Sequence, residues 1–359
     1  MKSNIFAVVL GVAGSVVAFG QGQPAGRRSG PGVQATRDPG YADLIKTCKV
    51  PPPARGGGAK GGPPKGPGPA PAKAAGGGPP SPREYTVTEI PGVIAGGQRW
   101  KEVWQGEGNN ADGIIATSDG GILLAQNDSS KVVKLDKDGK TTDVYTGLNT
   151  SGSVGMSSKG GALFVVNRGL HESIMQLAPQ RKTLADKFNG DPLDCLGGVL
   201  NDLTADSKGG VYFTAGVVFH ADAKGNVTRY GDNINTNGIM LSSDEKHLYV
   251  TNNSSLVVFD VQKDGSLANQ REFAKFEGGG GDGSTFDAAG RFYVTSGAGI
   301  QVIGPDGKNL GVIPVPRGVI SVTISGPDRK TLYAVNNDQR NDWIITIPLI
   351  AQGPKGRGK

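Results

Sequence analysis

The sequence predicts an all-β protein, a six-bladed β-propeller preceded by a disordered Gly/Pro-rich segment. A hairpin-forming unit of about 35–50 residues recurs after residue 83, and convincing helical periodicity is absent there. Residues 21–83, in contrast, are dominated by Gly, Pro and Ala. Six four-stranded units would close into a radial propeller, which leaves only short sheet edges exposed. A β-sandwich is the structural alternative, but it does not explain so regular a repeat.

The first 20 residues have the pattern of a secretory signal peptide. Lys2 supplies a short positive region, an apolar run covers Ile5–Phe19, and Ala18 and Gly20 place small residues before a cleavage site at Gln21. The run is short for a membrane span and lacks a charged stop, although an uncleaved anchor is the open alternative. We therefore expect an exported protein, periplasmic or secreted, with no stable membrane span after cleavage.

Residues 21–83 are predicted to be a disordered linker, because they hold too little apolar surface to offset the entropy of ordering. They contain ten Lys and Arg against two Asp, and the basic tail, residues 352–359, adds three more positive charges. Since the whole chain carries a net charge of +6, the predicted propeller, residues 84–351, is mildly acidic. The basic residues are diluted among Gly and Pro with almost no aromatics, so nucleic acid is not an expected partner.

Each repeat unit contains a tight turn rich in Ser, Asp and Gly, which supply the backbone angles of short hairpins. The flanking Val, Ile, Tyr and Phe favour half-buried strands. The six copies are Ala116–Leu124, Met156–Val165, Thr204–Phe213, Leu241–Val250, Phe286–Val294 and Ile324–Tyr333. Ahead of them, Tyr85–Ile90 has the pattern of an isolated strand. We expect it to complete the last unit, near Trp343–Ile347, and so close the ring.

Oxygen-bearing side chains precede four of these turns. The innermost strands of a propeller run in one direction along a central channel, so residues at their starts converge on a single axis. The equivalent places in units two and six, near Ser153 and Ile320, carry neither a carboxylate nor an amide. The four residues are Glu107, Asn201, Asn237 and Asp282.

Two carboxylates and two amide oxygens form a hard donor set. This set predicts one divalent metal ion, calcium first, with magnesium, manganese or zinc as alternatives. Glycine beside three of the four residues lets the backbone bend and leaves room for a ligand over the metal. A single Asn-Gly or Asp-Gly pair would indicate an ordinary turn, whereas four such residues in four repeats favour a metal site.

A family resemblance extends over nearly all of residues 100–350. Three stretches resemble sequence segments of the regucalcin/gluconolactonase family of six-bladed propellers: Leu200–Leu203, Thr236–Ile239 and Gly281–Gly283. Glu107 falls where that family has Glu-Gly-Pro. The resemblance implies that these four residues ligate the metal and that Asp282 is also the catalytic base. The prolines of the family pattern are replaced here by Leu200, Thr236, Gly281 and Asn109.

The function implied by the resemblance is metal-dependent hydrolysis of a lactone, either of a sugar acid or a related ester. A phosphotriesterase-like hydrolase on the same site is the enzymatic alternative, and a non-enzymatic binding propeller is the third possibility. The expected partner is a small-molecule substrate, and a monomer is expected. Similar proteins place substrate-contacting side chains at Asn167, Arg168 and His171, although this stretch could also be a solvated loop.

Cys48 and Cys195 are the only cysteines. Export would permit a disulfide between them, two independent thiols are equally open, and without matching histidines they make no zinc site. If they pair, the tail segment Tyr41–Lys49 would be held across the pocket mouth. The loop Asp191–Gly197, which leads to Asn201, would overhang the metal.

Overall fold

The computed structural model describes residues 40–50, 83–107, 111–127, 129–148, 151–156, 161–197, 200–337 and 341–355. Only the backbone is described at Glu107, residues 151–156, Asn337 and Asn341. The predicted signal peptide, most of the predicted linker and the end of the basic tail lie outside these residues. Within them, six four-stranded antiparallel sheets form a six-bladed β-propeller, which confirms the predicted fold.

The strands follow one another blade by blade along the chain. After β1 (Lys101–Glu107), blade one contains β2 (Ala111–Ala116), β3 (Ile122–Gln126), β4 (Lys131–Leu135) and β5 (Thr141–Tyr145). Blade two contains β6 (Ser151–Met156), β7 (Leu163–Asn167), β8 (Ser173–Ala178) and β9 (Lys182–Ala185). A small hairpin follows, formed by β10 (Lys187–Phe188) and β11 (Asp191–Pro192).

The second half of the ring has the same order. Blade three contains β12 (Leu203–Ala205), β13 (Val211–Thr214), β14 (Val218–Ala221) and β15 (Val227–Tyr230). Blade four contains β16 (Thr236–Leu241), β17 (His247–Asn252), β18 (Ser255–Val261) and β19 (Leu267–Lys275). Blade five contains β20 (Ser284–Phe286), β21 (Phe292–Ser296), β22 (Gly299–Ile303) and β23 (Asn309–Ile313). Blade six contains β24 (Ser321–Ser325), β25 (Thr331–Asn337), β26 (Asn341–Pro348) and, as its outermost strand, β1.

The ring is closed by β1, which pairs with β26 from Lys101↔Thr346 to Glu107↔Asn341. Closure by an N-terminal strand was predicted, but the prediction that Tyr85–Ile90 is this strand is wrong. That stretch makes only an isolated bridge, Ile90↔Ile94, and packs apolar side chains against blades five and six. Because β1 leads within a few residues into β2, it can bring the chain from the outer edge of the last blade to the first inner strand.

The core is distributed around the ring. The described buried side chains form six hydrophobic clusters, and each cluster lies between two neighbouring blades. Between blades two and three, for example, Phe164 packs with Phe213 and Phe219, all of them buried. Full burial of such a side chain contributes about 1.5–3 kcal/mol. Each blade is therefore held by both neighbours, and the inner strands keep fixed positions around the channel.

One part of the predicted linker is ordered in the structure. Helix α1 (Tyr41–Leu44) and a 3-10 turn (Ile45–Thr47) lead to Cys48, which is disulfide-bonded to Cys195 with a Cα–Cα distance of 5.7 Å. A disulfide supplies by covalent constraint what the apolar-poor composition cannot supply by burial. We call residues 40–50 the strap. In the described part of the chain, no helix is both long and apolar enough to cross a membrane.

Candidate active site

Strand register places one residue of each inner strand at the same level of the channel. We call this position the ring position. In each blade it lies two residues before an inner-strand residue that is paired with the second strand at the corresponding place in all six sheets. For four blades these pairs are Ile114↔Leu124, Leu203↔Phe213, Ile239↔Val250 and Ser284↔Val294. The corresponding ring residues are Asp112, Asn201, Asn237 and Asp282. In blades two and six the position is held by Gly152 and Ile320.

Glu107 does not occupy the ring position of blade one, so its predicted phase is wrong. It ends β1, the outermost strand of blade six, and its side chain lies outside the described atoms. Asp112 holds the ring position instead. Sequence reasoning missed it, although Ala111–Ile114 repeats the pattern of Thr236–Ile239: a small residue, Asp or Asn, Gly and Ile. Strand β1 nevertheless ends, at Glu107, on the same face of the propeller, just before β2 begins.

Arg168 bridges two ring residues across the gap left by blade two. Its Nη2 atom donates to Asp112 Oδ2 at 3.0 Å and to Asn201 Oδ1 at 2.8 Å. The guanidinium side chain is only 6% exposed, so this contact is screened little by water. Because Gly152, at the ring position of blade two, has no side chain, Arg168, which directly follows the second strand of that blade, can reach the channel.

The network continues around the channel from Asn201. The Asn201 side-chain amide donates to Asn237 Oδ1, and the Asn237 side chain hydrogen-bonds the carboxylate of Asp282. Burial raises the pKa of Asp282 well above its usual range, and the negative charges of Asp112 and Asp202 raise it further. Arg168 and the hydrogen bond from Asn237 oppose this rise. The ring therefore holds a half-buried carboxylate whose charge is only partly compensated by Arg168 and Asn237.

Asp202 keeps blades three and four together beneath the ring. Its carboxylate accepts the backbone amides of Leu203 at 2.8 Å and Ile239 at 3.0 Å. The Thr214 hydroxyl donates to the Asn237 carbonyl at 2.6 Å. The Ile239 contact joins Asp202, next to ring residue Asn201, to blade four, and the Thr214 contact joins blade three to the backbone of ring residue Asn237. The ring side chains are thus positioned by the backbones of neighbouring blades, as precise sites require.

Gly238 and Gly283 have a different role from the predicted one. A Cβ atom on Gly238 would lie 2.2 Å from the carbonyl oxygen of Asp282, and one on Gly283 would lie 2.3 Å from Ser321 Oγ. Both glycines let neighbouring inner strands approach each other closely. They set the spacing between blades at the ring, whereas the sequence interpretation assigned them to backbone bending and space above a metal.

The donor chemistry of the ring fits a hard divalent cation. Carboxylate and amide oxygens are the ligands that calcium and magnesium prefer, and a cation beside Asp282 would favour its ionised form. Among the described side chains, no three His, Cys, Asp or Glu are grouped so that they could hold an ion. The amide oxygens of Asn201 and Asn237 would therefore have to complete the coordination, and Asn201 would share its oxygen with Arg168.

The other predicted substrate contacts lie at the same end of blade two. Asn167 is buried, and its amide nitrogen donates to Ser173 Oγ at 3.2 Å. His171 is exposed, with a φ of 65°, and its backbone amide donates to Asp194 Oδ1 at 3.1 Å. The structure thus brings Arg168 into the ring network and places Asn167 beside it in sequence, while His171 belongs to a surface turn.

Buried amide atoms without a hydrogen-bond partner lie in blades one, two and six. Asn127 is fully buried, and neither atom of its amide is hydrogen-bonded. The amide oxygens of Asn167 and Asn336 are also buried without a partner. By register, Asn127 holds in blade one the position that Arg168 holds in blade two. An unpartnered buried amide costs about 1–3 kcal/mol, so such groups indicate a place where a ligand supplies the missing partner.

Comparison with known proteins agrees with this architecture. The sequence profile of the SMP-30/Gluconolactonase/LRE-like region matches residues 146–336, and the chain belongs to this family. The chain is 26% identical to lactonase drp35 of Staphylococcus saprophyticus over 303 residues, which cover 74% of this chain and 90% of that protein.

Two solved structures have a similar fold. A gluconolactonase from Xanthomonas campestris superposes with a TM-score of 0.62 and 19% identity, over 77% of this chain and 99% of its own. The calcium-binding protein regucalcin from Agrobacterium tumefaciens superposes with a TM-score of 0.59 and 15% identity, over 72% of this chain and 96% of its own.

Proposed function

We propose that this member of the SMP-30/Gluconolactonase/LRE-like family is a metal-dependent hydrolase that opens a lactone at the ring residues. The observation that carries the proposal is the hydrogen-bonded set of ring residues. In it, side chains with potential metal-ligating oxygens come from blades one, three, four and five at one level of the channel. The lactonase and gluconolactonase among the similar proteins support a lactone substrate. The calcium-binding relative supports a divalent ion.

Asp112, Asn201, Asn237 and Asp282 would hold the ion, and Glu107, at the end of β1, is a further candidate ligand by the family resemblance. When bound, a divalent cation would polarise the lactone carbonyl and stabilise the negative charge that develops on its oxygen. Asp282 accepts a proton from the attacking water while the water oxygen bonds to the carbonyl carbon. The C–O bond of the lactone then breaks. The oxygen that leaves the carbonyl carbon takes that proton, which gives the hydroxy acid.

Arg168 positions this machinery and also faces the substrate. Its Nη2 atom holds Asp112 and Asn201, while its buried Nε atom has no hydrogen-bond partner. A substrate carbonyl or carboxylate oxygen would supply that partner. The unpartnered oxygens of Asn127 and Asn167 would in the same way accept hydroxyl groups of a sugar-acid lactone.

The experiment is a substrate panel on the chelator-treated protein. Glucono-δ-lactone, an aliphatic γ-lactone and an organophosphate triester are each assayed with added calcium, magnesium, manganese or zinc. We expect lactone hydrolysis that disappears with chelator and returns with one of these metals. Hydrolysis of the triester alone would instead favour the phosphotriesterase-like alternative. A chelator effect on the melting temperature without any turnover would favour a binding propeller.

A further inference from the structure

A separate cavity lies at the ring end of blade three, and none of the ring residues lines it. Its volume is 680 Å³, within the range of pockets that hold drug-sized ligands. Its walls come from four segments: the end of the strap, the β10–β11 hairpin with the turn after it, the β13–β14 turn with the start of β14, and the stretch that contains Arg229 and Asn235. We call it the strap cavity.

The walls of the strap cavity are apolar with a positive edge. Phe188 and Phe219 meet edge to face at 5.5 Å, and Val217 lies beside them. Lys49 and Arg229 contribute two cationic side chains to the lining. An aromatic or branched apolar body would pack against the phenylalanine rings, while an anionic group would meet the cations.

The acidic side chain in the lining is already engaged. Asp191 Oδ2 accepts the backbone amide of Lys49 at 3.1 Å. The Lys49 ammonium donates to the Asn189 carbonyl at 2.7 Å. The lining has two cationic side chains, Lys49 and Arg229, against the one carboxylate of Asp191, and this positive balance favours an anion over a neutral ligand of the same shape.

The strap lines one side of this cavity through Lys49 and Val50 while burying little of itself. In α1 only Tyr41 is buried, and the 3-10 turn Ile45–Thr47 has no buried residue. The strap is nevertheless fixed by the disulfide between Cys48 and Cys195, which are 147 positions apart. Lys49 and Val50, which directly follow Cys48, form part of the cavity wall. A covalent tether on a segment that adds so little to the core is explained by the wall that it builds.

The cavity shares backbone elements with the ring. Asn235 lines the cavity two residues before Asn237, and Gly216 lines it two residues after Thr214, whose hydroxyl binds the Asn237 carbonyl. The Thr236 amide donates to the Gly216 carbonyl at 3.1 Å. A ligand in the cavity would therefore lie beside the backbone that positions Asn237.

We propose that the strap cavity binds a small organic anion with an aromatic or branched apolar body. Arg229 and Lys49 recognise the anionic group, and Phe188 and Phe219 hold the body. Such an anion has two sources: an extension of the substrate itself, or a separate effector. Because binding can be measured without turnover, this inference stands or falls independently of the proposed lactonase activity.

The test is calorimetric titration of the full chain with 4-phenylbutyrate and, as its neutral counterpart, 4-phenylbutanol. We expect saturable binding of the carboxylate and at least fivefold weaker binding of the alcohol. Arg229→Gln should weaken carboxylate binding about tenfold, since one charge-assisted contact is lost. Arg271→Gln is the matched control, because Arg271 is an exposed arginine on blade four, paired with Asp260. Equal losses in both variants, or no saturable binding by the unmodified protein, would overturn the proposal.

Two further variants locate the ligand. The Cys48→Ser/Cys195→Ser double variant should bind 4-phenylbutyrate several-fold more weakly, because Lys49 is no longer held at the wall. Asp282→Ala should bind it as the unmodified protein does, and loss of binding there would place the anion in the channel and contradict the proposal. If 4-phenylbutyrate inhibits hydrolysis of a phenylalkyl-substituted lactone but not of the unsubstituted lactone, the cavity binds an extension of the substrate. If it changes the rate on the unsubstituted lactone, the cavity binds an effector.

Discussion

The two ends of the inner strands both hold aspartates, Asp206 buried and Asp282 half-buried, but their negative charges are compensated differently. At the turn after β12, Asp206 Oδ1 accepts the backbone amides of Lys208 and Gly210 at 2.8 and 2.7 Å. Its Oδ2 atom lies 3.0 Å from His220 Nε2. At the other end of the channel, the Asn237 side chain hydrogen-bonds the carboxylate of Asp282. The negative charges of Asp112 and Asp202 act on that same carboxylate.

The pKa values of the two carboxyl groups diverge accordingly. Burial alone would raise the pKa of Asp206, but hydrogen bonds from His220 and from the Gly210 and Lys208 amides lower it overall. Burial raises the pKa of Asp282, and the opposing effects of Arg168 and of the Asn237 hydrogen bond do not reverse this rise. A buried carboxylate that the protein satisfies fully serves the fold, whereas one that it leaves under-compensated marks the place for an external cation or a proton.

The strongest way to break this comparison is to remove the ring carboxylate. Asp282→Ala should lower kcat on a lactone by about 10²–10⁴-fold, because both a proton acceptor and a metal ligand are lost. Turnover and calcium affinity would be measured together, with Asp282→Asn as the variant that keeps the shape of the side chain. Retained lactonase activity in Asp282→Ala would rule out the mechanism.

A smaller effect separates Asp112 from Glu107. Asp112→Asn keeps the ring position filled but removes its charge, so metal affinity should fall about 10–100-fold, as for other groups that support a metal site. Glu107→Gln, measured in the same titration, shows whether the end of β1 also contributes a ligand. If Asp112→Asn leaves the affinity unchanged while Glu107→Gln abolishes it, the ring assignment in blade one is wrong.

The structural carboxylate should behave differently. Asp206→Ala should reduce the free energy of unfolding by about 2 kcal/mol, since His220 and two amides lose their acceptor, with kcat and KM unchanged. Because the folded-state pKa of Asp206 is lowered, its contribution is present above the ordinary carboxyl pKa and is lost as the pH falls through the lowered value. Thermal melts from about pH 7 to about pH 3 should therefore show the variant and the unmodified protein converging in acid.

The smallest predicted effect concerns a neutral group. Asn127→Leu removes a buried amide without partners, so it should leave the melting temperature unchanged or raise it slightly, while KM for a hydroxylated lactone rises about tenfold. Kinetics on glucono-δ-lactone and on an aliphatic lactone provide the internal control. A rise in KM for both lactones, or a loss of stability, would indicate that Asn127 packs in the core and does not contact the substrate.

Much of the fold could be read from local patterns. Hairpin turns and alternating strands are specified by neighbouring residues, and their recurrence at a steady spacing predicts the number of blades. The same regularity predicts the phase of Asn201, Asn237 and Asp282. It also contained Asp112, whose surrounding pattern matches that of Asn237, but the prediction assigned this position to Glu107. The closing strand was misplaced because a β-like stretch does not say which sheet edge it will join.

The sequence by itself therefore determined the propeller, its repeat and three of the ring residues, since each depends on chemistry within a few positions of the chain. Only the tertiary structure decided that Arg168 spans the gap at Gly152, that Gly238 abuts Asp282, and that the strap completes a cavity on blade three. These contacts join residues of different blades. They exist only once the ring has closed, and no spacing along the chain encodes the distance between two blades.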